Sequence, residues 1–396
     1  MSTKAIVAGV GMIQFSKPGQ SPSYTQMGAE ATRLALADAG VTYADIQQAY
    51  AGYCFGDSTC GQTVLYEVGL TAIPIINVNN NCSTGSTALY LARQLIENGV
   101  LDCVLAVGFE QMRPGALKSN WDDRPPTRER FMPIMHGLTA DVPDMPQALR
   151  GFGGAGREHM RLYGTTLETF AAIRAKASRH AANNPLALFR KIMTTEEVLA
   201  DQVVWPGVMT RTMACPPTCG AAAAVLVSEK YAKRKGLRTD VQILAQSMTT
   251  DPAESFDPPS LISYVGGHMA RRAANEVYTA AGIGPTDVQV CELHDCFAHN
   301  ELLTYEALGL CAVGEGAKFV ADGDNTYGGK VVTNPSGGLL CKGHPLGATG
   351  LAQCYELTHQ LRGTAAARQV PNVKLALQHN LGLGGACVVT LYGHHD

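Results

Sequence analysis

Charged residues are scarce in this chain, at 16% of 396 residues against 46% apolar. That balance excludes a disordered polypeptide and predicts large buried cores. Lys and Arg number 31 against 34 Asp and Glu, a net charge of -3. No electrostatic footprint for nucleic acid or an anionic membrane surface follows from it. Uninterrupted apolar runs of about 18 residues are missing, so no membrane-spanning helix is expected. The opening "MSTKAIVAGVGMIQF" lacks the apolar segment and cleavage site of a secretory leader. The final "GHHD" is not a Ser-Lys-Leu type address, so the expected compartment is the cytoplasm, or a peroxisome reached by another route. Repeated cysteine spacing is also lacking. The 12 cysteines are scattered, which excludes a disulfide framework and predicts reduced thiols. Cys215 and Cys219 in "CPPTCG" have no second ligand pair, so they read as a turn and no metal is expected. "VAGVG" near the start lacks the third glycine of a dinucleotide loop.

Strand-like and helical runs alternate along most of the chain. Residues 4–12, 102–109, 221–228, 241–248, 288–293, 373–379 and 386–392 read as buried strands. Helical periodicity lies around 24–40, 83–99, 155–181, 265–281, 298–308 and 346–362. The alternation predicts an α/β fold with helices covering sheets. Two gap-free internal matches add a duplication. "AGVTYADIQQAYAGYCF" (39–55) aligns with "AGIGPTDVQVCELHDCF" (281–297), and "CSTGSTALYLARQL" (82–95) with "HPLGATGLAQCYEL" (344–357). Two matches in the same order predict two related halves, 1–118 completed by about 205–240, and 241–396. Between them, 119–204 is rich in Pro, Arg, Met and Gly and reads as an inserted loop subdomain with one long helix.

The second match sets Cys82 opposite His344, each expected at a helix start. A helix N-terminus carries a partial positive charge that favours a thiolate. The "NNN" before Cys82 is too polar for plain core. His344 sits between Gly343 and Pro345, where no regular element continues. If the halves are related by pseudo-twofold symmetry, the two side chains project to one centre as an activated nucleophile. "HDCF" adds His294, Asp295 and Cys296 at a strand end, where ligands of α/β sheets collect. A second thiol there suits proton transfer. Gly382, Gly384 and Gly385 suit either an oxyanion-binding turn or a plain hairpin.

Together "INVNNNCSTGSTAL", "ELHDCFAHNELLTYEALGL", "GDNTYGGK", "NPSGGLLCKGHPLGATGLAQC" and "QHNLGLGGACVVTLY" resemble the thiolase superfamily, in its sterol-carrier-protein branch. The resemblance implies a five-layered αβαβα thiolase fold, without a lipid-transfer segment after Asp396. It implies a 3-ketoacyl-CoA thiolase with coenzyme A and acyl-CoA as substrates and no permanently bound cofactor. Cys82 matches the nucleophile, and His344 the base that also helps hold the enolate oxygen. His294 matches the other donor to that oxygen, and Cys296 the acid/base thiol. The backbone N–H groups of Cys82 and Gly382 match the oxyanion hole. The usual C-terminal thiol is absent, since that site reads Asn380-Leu381-Gly382. A homodimer or homotetramer is implied. The chain also departs from the family at Thr218-Cys219-Gly220, and Arg124, Arg128 and Arg130 read as a solvated charged loop, with contact to phosphates as the alternative. The rival readings are a condensing enzyme of the same fold and a non-thiolytic subunit of a steroid side-chain aldolase complex.

Overall fold

The computed structural model describes residues 3–115, 121, 123–142 and 144–395. Its strands are β1 (Ala5–Met12), β2 (Gln48–Gly52), β3 (Ile75–Val78), β4 (Cys103–Glu110), β5 (Val203–Trp205), β6 (Met209–Thr210), β7 (Gly220–Ser228), β8 (Val241–Thr249), β9 (Val290–Glu292), β10 (Val332–Thr333), β11 (Leu375–Gly382) and β12 (Ala386–His394). β5 and β6 form a small ribbon. The other ten make one sheet in the order β10-β9-β11-β12-β8-β1-β7-β4-β2-β3.

That sheet is two five-stranded halves meeting at a single residue pair, Ile6 with Gln242. Read from the outer edge inward, the halves run β3-β2-β4-β7-β1 and β10-β9-β11-β12-β8. In each, the outer three strands are parallel and the inner two antiparallel. The aligned segments share local devices as well. Gly40 and Gly282 both end a helix in the left-handed conformation, at φ 69° and 66°. Gln47 Oε1 accepts from the N–H groups of Asp102 and Cys103, and its counterpart Gln289 accepts from Lys374 and Leu375.

Helices Thr84–Glu97 and Thr349–Leu361 pack together between the halves, while Tyr24–Ala39 and Gly267–Ala281 cover the outer faces. This gives the αβαβα layering. The apolar side chains separate accordingly into one central cluster and two outer ones. At the centre the two middle helices meet backbone to backbone. A Cβ on Gly85 would lie 2.7 Å from Gly347 O and 3.1 Å from Leu351 N, so only glycine fits.

The inserted region departs from expectation. Its expected start at residue 119 lies outside the described residues. The single long helix is two, Gln147–Tyr163 and Leu167–Ala182, because Gly164 takes a left-handed cap at φ 73°. The region shares the outer core of the C-terminal half, with Phe152 stacked on Phe297 at 4.8 Å. Among the described residues no helix is long and apolar enough to cross a membrane.

Candidate active site

The three asparagines before Cys82 build the turn that presents it. Asn79 Oδ1 accepts from Asn81 N at 3.0 Å. Asn80 O accepts from Ser83 N at 3.2 Å, and Asn81 O from Thr84 N at 3.0 Å. Asn81 is left-handed at φ 51°, a conformation that Asn tolerates better than most residues. Its Nδ2 donates to Leu383 O at 2.6 Å, fastening the turn to the glycine loop of the other half. Gly382 closes against the same turn. A Cβ there would stand 2.2 Å from Asn80 O and 2.7 Å from Ser83 Oγ.

His344 lies in the turn between Gly338–Cys341 and Thr349–Leu361, five residues ahead of the second helix rather than at its start. Pro345 redirects the chain, and its carbonyl takes Ala348 N and Thr349 N before the helix begins. Thr218, in the segment that departs from the family pattern, positions the histidine by accepting from His344 N at 3.1 Å. Cys82 Sγ and one ring nitrogen each of His294 and His344 lie within 4.8 Å of one another. The two imidazoles meet edge to face, with centroids 5.0 Å apart. Histidines 212 and 262 positions beyond Cys82 thus share one centre with it.

The hydrogen bonds assign the two ring protons. Thr349 Oγ1 donates to Pro345 O, so toward His344 Nδ1, 2.7 Å away, it can only accept. His344 Nδ1 therefore holds a proton, and Nε2 is a bare lone pair. Nε2 is buried and has no partner among the described residues. Asn380 Oδ1 accepts from Ser86 Oγ at 2.9 Å, which turns its Nδ2 to Cys82 O at 3.0 Å and His294 Nδ1 at 3.2 Å. His294 Nδ1 must then accept, and its Nε2 carries the proton. One histidine is set as base and the other as donor. The three side chains also have the composition of a zinc site, and a metal there would have to displace the proton from His294 Nε2 and from the thiol.

Burial dominates the electrostatics. Enclosure pushes the Cys82 thiol up to about 12. The Glu110 charge adds to the rise, while Arg128 and the N–H groups of Cys82 and Leu383 oppose it. The helix start that favours a thiolate is outweighed here by desolvation, which holds the sulfur as a thiol. His344 is pushed down to about 3, by burial and then by Lys342. His294 falls well below the usual range, by burial and then by its histidine neighbours. The pair rests as neutral thiol and neutral imidazole. The glycine-loop N–H that bears on the sulfur is that of Leu383, the residue after Gly382.

Cys296 is buried beside this centre, its thiol held well above the ordinary value by burial and by the nearby Cys215, Cys82 and Asp295. Asp295 accepts from Leu339 N at 2.7 Å and so anchors the short helix before His344. Glu110, raised to about 7 by burial, takes Cys54 N, Phe55 N and Gly347 N at 2.9–3.1 Å. It ties the two halves together at the site.

Comparison with known proteins bears on this arrangement. The thiolase N-terminal domain family matches residues 5–139, and the thiolase C-terminal domain-like family matches 263–392. The chain belongs to the thiolase family. Sterol carrier protein 2 of Oryctolagus cuniculus is 53% identical over 98% of this chain and 72% of its own length. Two solved structures share the thiolase fold. The Ltp2-ChsH2(DUF35) aldolase has a TM-score of 0.83 at 23% identity, covering 99% of this chain and 98% of that one. Human mitochondrial 3-ketoacyl-CoA thiolase has 0.73 at 17%, covering 99% of each. In this thiolase-family acyltransferase further residues, none of them a candidate site residue from the sequence, surround the centre. Asn380, Thr349, Thr218, Glu110 and Cys215 all bear on the centre. Cys215 does so through its N–H, which donates to Cys296 O at 2.8 Å. Asn380, Thr218 and Cys215 stood in segments that the sequence reading singled out on other grounds, whereas Thr349 and Glu110 were not singled out.

Proposed function

We propose that the chain is a 3-ketoacyl-CoA thiolase, degrading 3-ketoacyl-CoA with coenzyme A or running the reverse Claisen condensation. The observation that carries this is the unpartnered Nε2 lone pair of His344, gathered with Cys82 and a proton-bearing His294. His344 takes the Cys82 proton as sulfur attacks the 3-keto carbon. The bond between the α and β carbons then breaks, leaving the shortened acyl group on sulfur. The electron pair becomes the enolate of acetyl-CoA, or of propionyl-CoA from a 2-methyl substrate. Its oxygen accepts from His294 Nε2–H and the newly protonated His344. Cys296 protonates the α carbon. It then takes the proton of incoming coenzyme A, whose sulfur attacks the acyl-enzyme and releases Cys82 as a thiolate, which recovers its proton from His344. The N–H groups of Cys82 and the 382–383 loop hold the acyl oxygen.

The recurrent strand order supports halves at 1–118 with 205–240 and at 241–396, and an insert at 119–204. A homodimer or homotetramer is part of this reading. Edge strand β3 has one unpaired side, and Tyr66, Leu70 and Ile76 beside it are exposed. Cytoplasmic placement is part of it too. The test is thiolysis of acetoacetyl-CoA and of longer or 2-methyl-branched 3-ketoacyl-CoA, with mass measurement of the protein. Wild type should turn over and carry one acyl group. Cys82→Ala should carry none, and Cys296→Ala should lose most of its turnover. A folded wild type that is inactive at every chain length would sink the proposal and favour the aldolase-subunit reading.

A further inference from the structure

Arg128 was expected in a solvated loop, and the structure places it against the catalytic centre instead. It is left-handed at φ 70°, a strained conformation for a long side chain. Tyr264 OH and Gln147 Oε1 hold its Nη1 and Nη2 at 3.2 and 2.8 Å. Its methylene stem crosses the glycine loop, since a Cβ on Gly384 would meet Arg128 Cγ at 3.3 Å. Nε is sealed from solvent and has no acceptor among the described residues. Arg124 and Arg130 differ. Arg124 pairs with its exposed neighbour Asp123, and Arg130 stacks on Phe256 at 4.0 Å.

A buried N–H without an acceptor is costly, and a charged one more so. Strain, two fixed nitrogens and one orphaned donor at a ligand site point to a bound oxygen. The stem lies on the glycine loop that Asn81 Nδ2 fastens to the Cys82 turn through Leu383 O, so the acceptor belongs to the acyl end of the substrate, and the charge bears on Cys82 accordingly. The phosphates of coenzyme A are separated from that end by the whole pantetheine arm.

We propose that Arg128 is a substrate-binding residue whose Nε–H receives an oxygen on the acyl chain, and that it favours acyl groups ending in a carboxylate. The proposal rests on the acyl-CoA reading for its ligand, but the first test does not need turnover. Alkylation of Cys82 by anionic iodoacetate and neutral iodoacetamide is compared in wild type, Arg128→Lys and Arg128→Gln. Cys82→Ala serves as the blank, and thermal melting reports folding. Attraction of an anion by one nearby charge should lower the iodoacetate-to-iodoacetamide rate ratio about fivefold in Arg128→Gln. Arg128→Lys should keep most of the ratio. The second arm compares kcat/KM for 3-ketoadipyl-CoA and acetoacetyl-CoA. Preference for the dicarboxylic substrate should fall about tenfold in both variants, because lysine keeps the charge but not the planar donor. An unchanged alkylation ratio in Arg128→Gln would overturn the proposal and leave a structural role. A lowered alkylation ratio with an unchanged substrate preference would place the anion elsewhere and overturn the acyl assignment. Absence of all thiolysis would defeat the thiolase reading while the alkylation ratio still judged Arg128.

Discussion

Asn380 offers the sharpest test, because two substitutions there should rank against steric expectation. The side chain is fully buried and makes three hydrogen bonds, to Ser86 Oγ, Cys82 O and His294 Nδ1. Asn380→Ala orphans the Ser86 hydroxyl and weakens satisfaction of the Cys82 carbonyl. At about 1–3 kcal/mol for each unsatisfied buried group, the loss of stability is about 2–5 kcal/mol. His294 then loses its fixed proton position but still samples the productive form, so kcat should fall about tenfold. Asn380→Asp is nearly isosteric and should be worse. A carboxylate accepts from His294 Nδ1–H and leaves Nε2 as a lone pair facing the enolate oxygen. Loss of one such donor costs about 10²- to 10³-fold in kcat. The defect should ease toward acid, where an imidazolium restores Nε2–H. The assay is thiolysis across pH 6–9, corrected for the folded fraction by thermal melting. An Asp variant faster than the Ala variant at pH 8 would refute the proton assignment.

Two further outcomes follow from groups around the site. Glu110→Gln removes the charge that lifts the Cys82 thiol, so the midpoint of Cys82 alkylation by iodoacetamide should move to lower pH; an unmoved midpoint would contradict the role given to Glu110. The sign of its stability effect follows too. The Glu110 carboxyl holds its proton up to about 7 in the fold and only to about 4.3 unfolded, so wild type should lose stability as pH rises through that window. Denaturant titration of Glu110→Gln should show a flatter profile. Gly85→Ala forces a methyl against Gly347 O, with backbone on both sides, and should destabilise by about 1–3 kcal/mol; a neutral midpoint in urea would mean the middle helices part easily.

Much of this was legible in the residues. The long strands were readable because burial on both faces requires continuous apolar runs, as in β4 and β7. β3 was not, since "IINV" is half exposed at an edge, and β10 has two residues. The pairing of Cys82 with His344 could be inferred because the repeat aligns them. The proton assignments could not. They depend on Thr349 and Asn380, ordinary residues whose meaning comes from which atom they face. The strength of burial at Cys82 was hidden for a related reason. A helix start is visible in sequence, but the degree of enclosure around it is not.

The internal repeat sets Cys54 opposite Cys296, as it sets Cys82 opposite His344. Cys54 donates from Sγ to Asn81 O at 3.1 Å, bracing the turn behind the nucleophile, while Cys296 stands at the reacting centre. An arrangement with true twofold symmetry would present like with like, two thiols or two imidazoles, and neither pair can pass a proton downhill. The two copies differ at this position, thiol against imidazole, and so differ in affinity for a proton. The N-terminal copy contributes the Cys82 thiol, the C-terminal copy contributes the His344 imidazole together with Cys296, and Cys54 braces the turn.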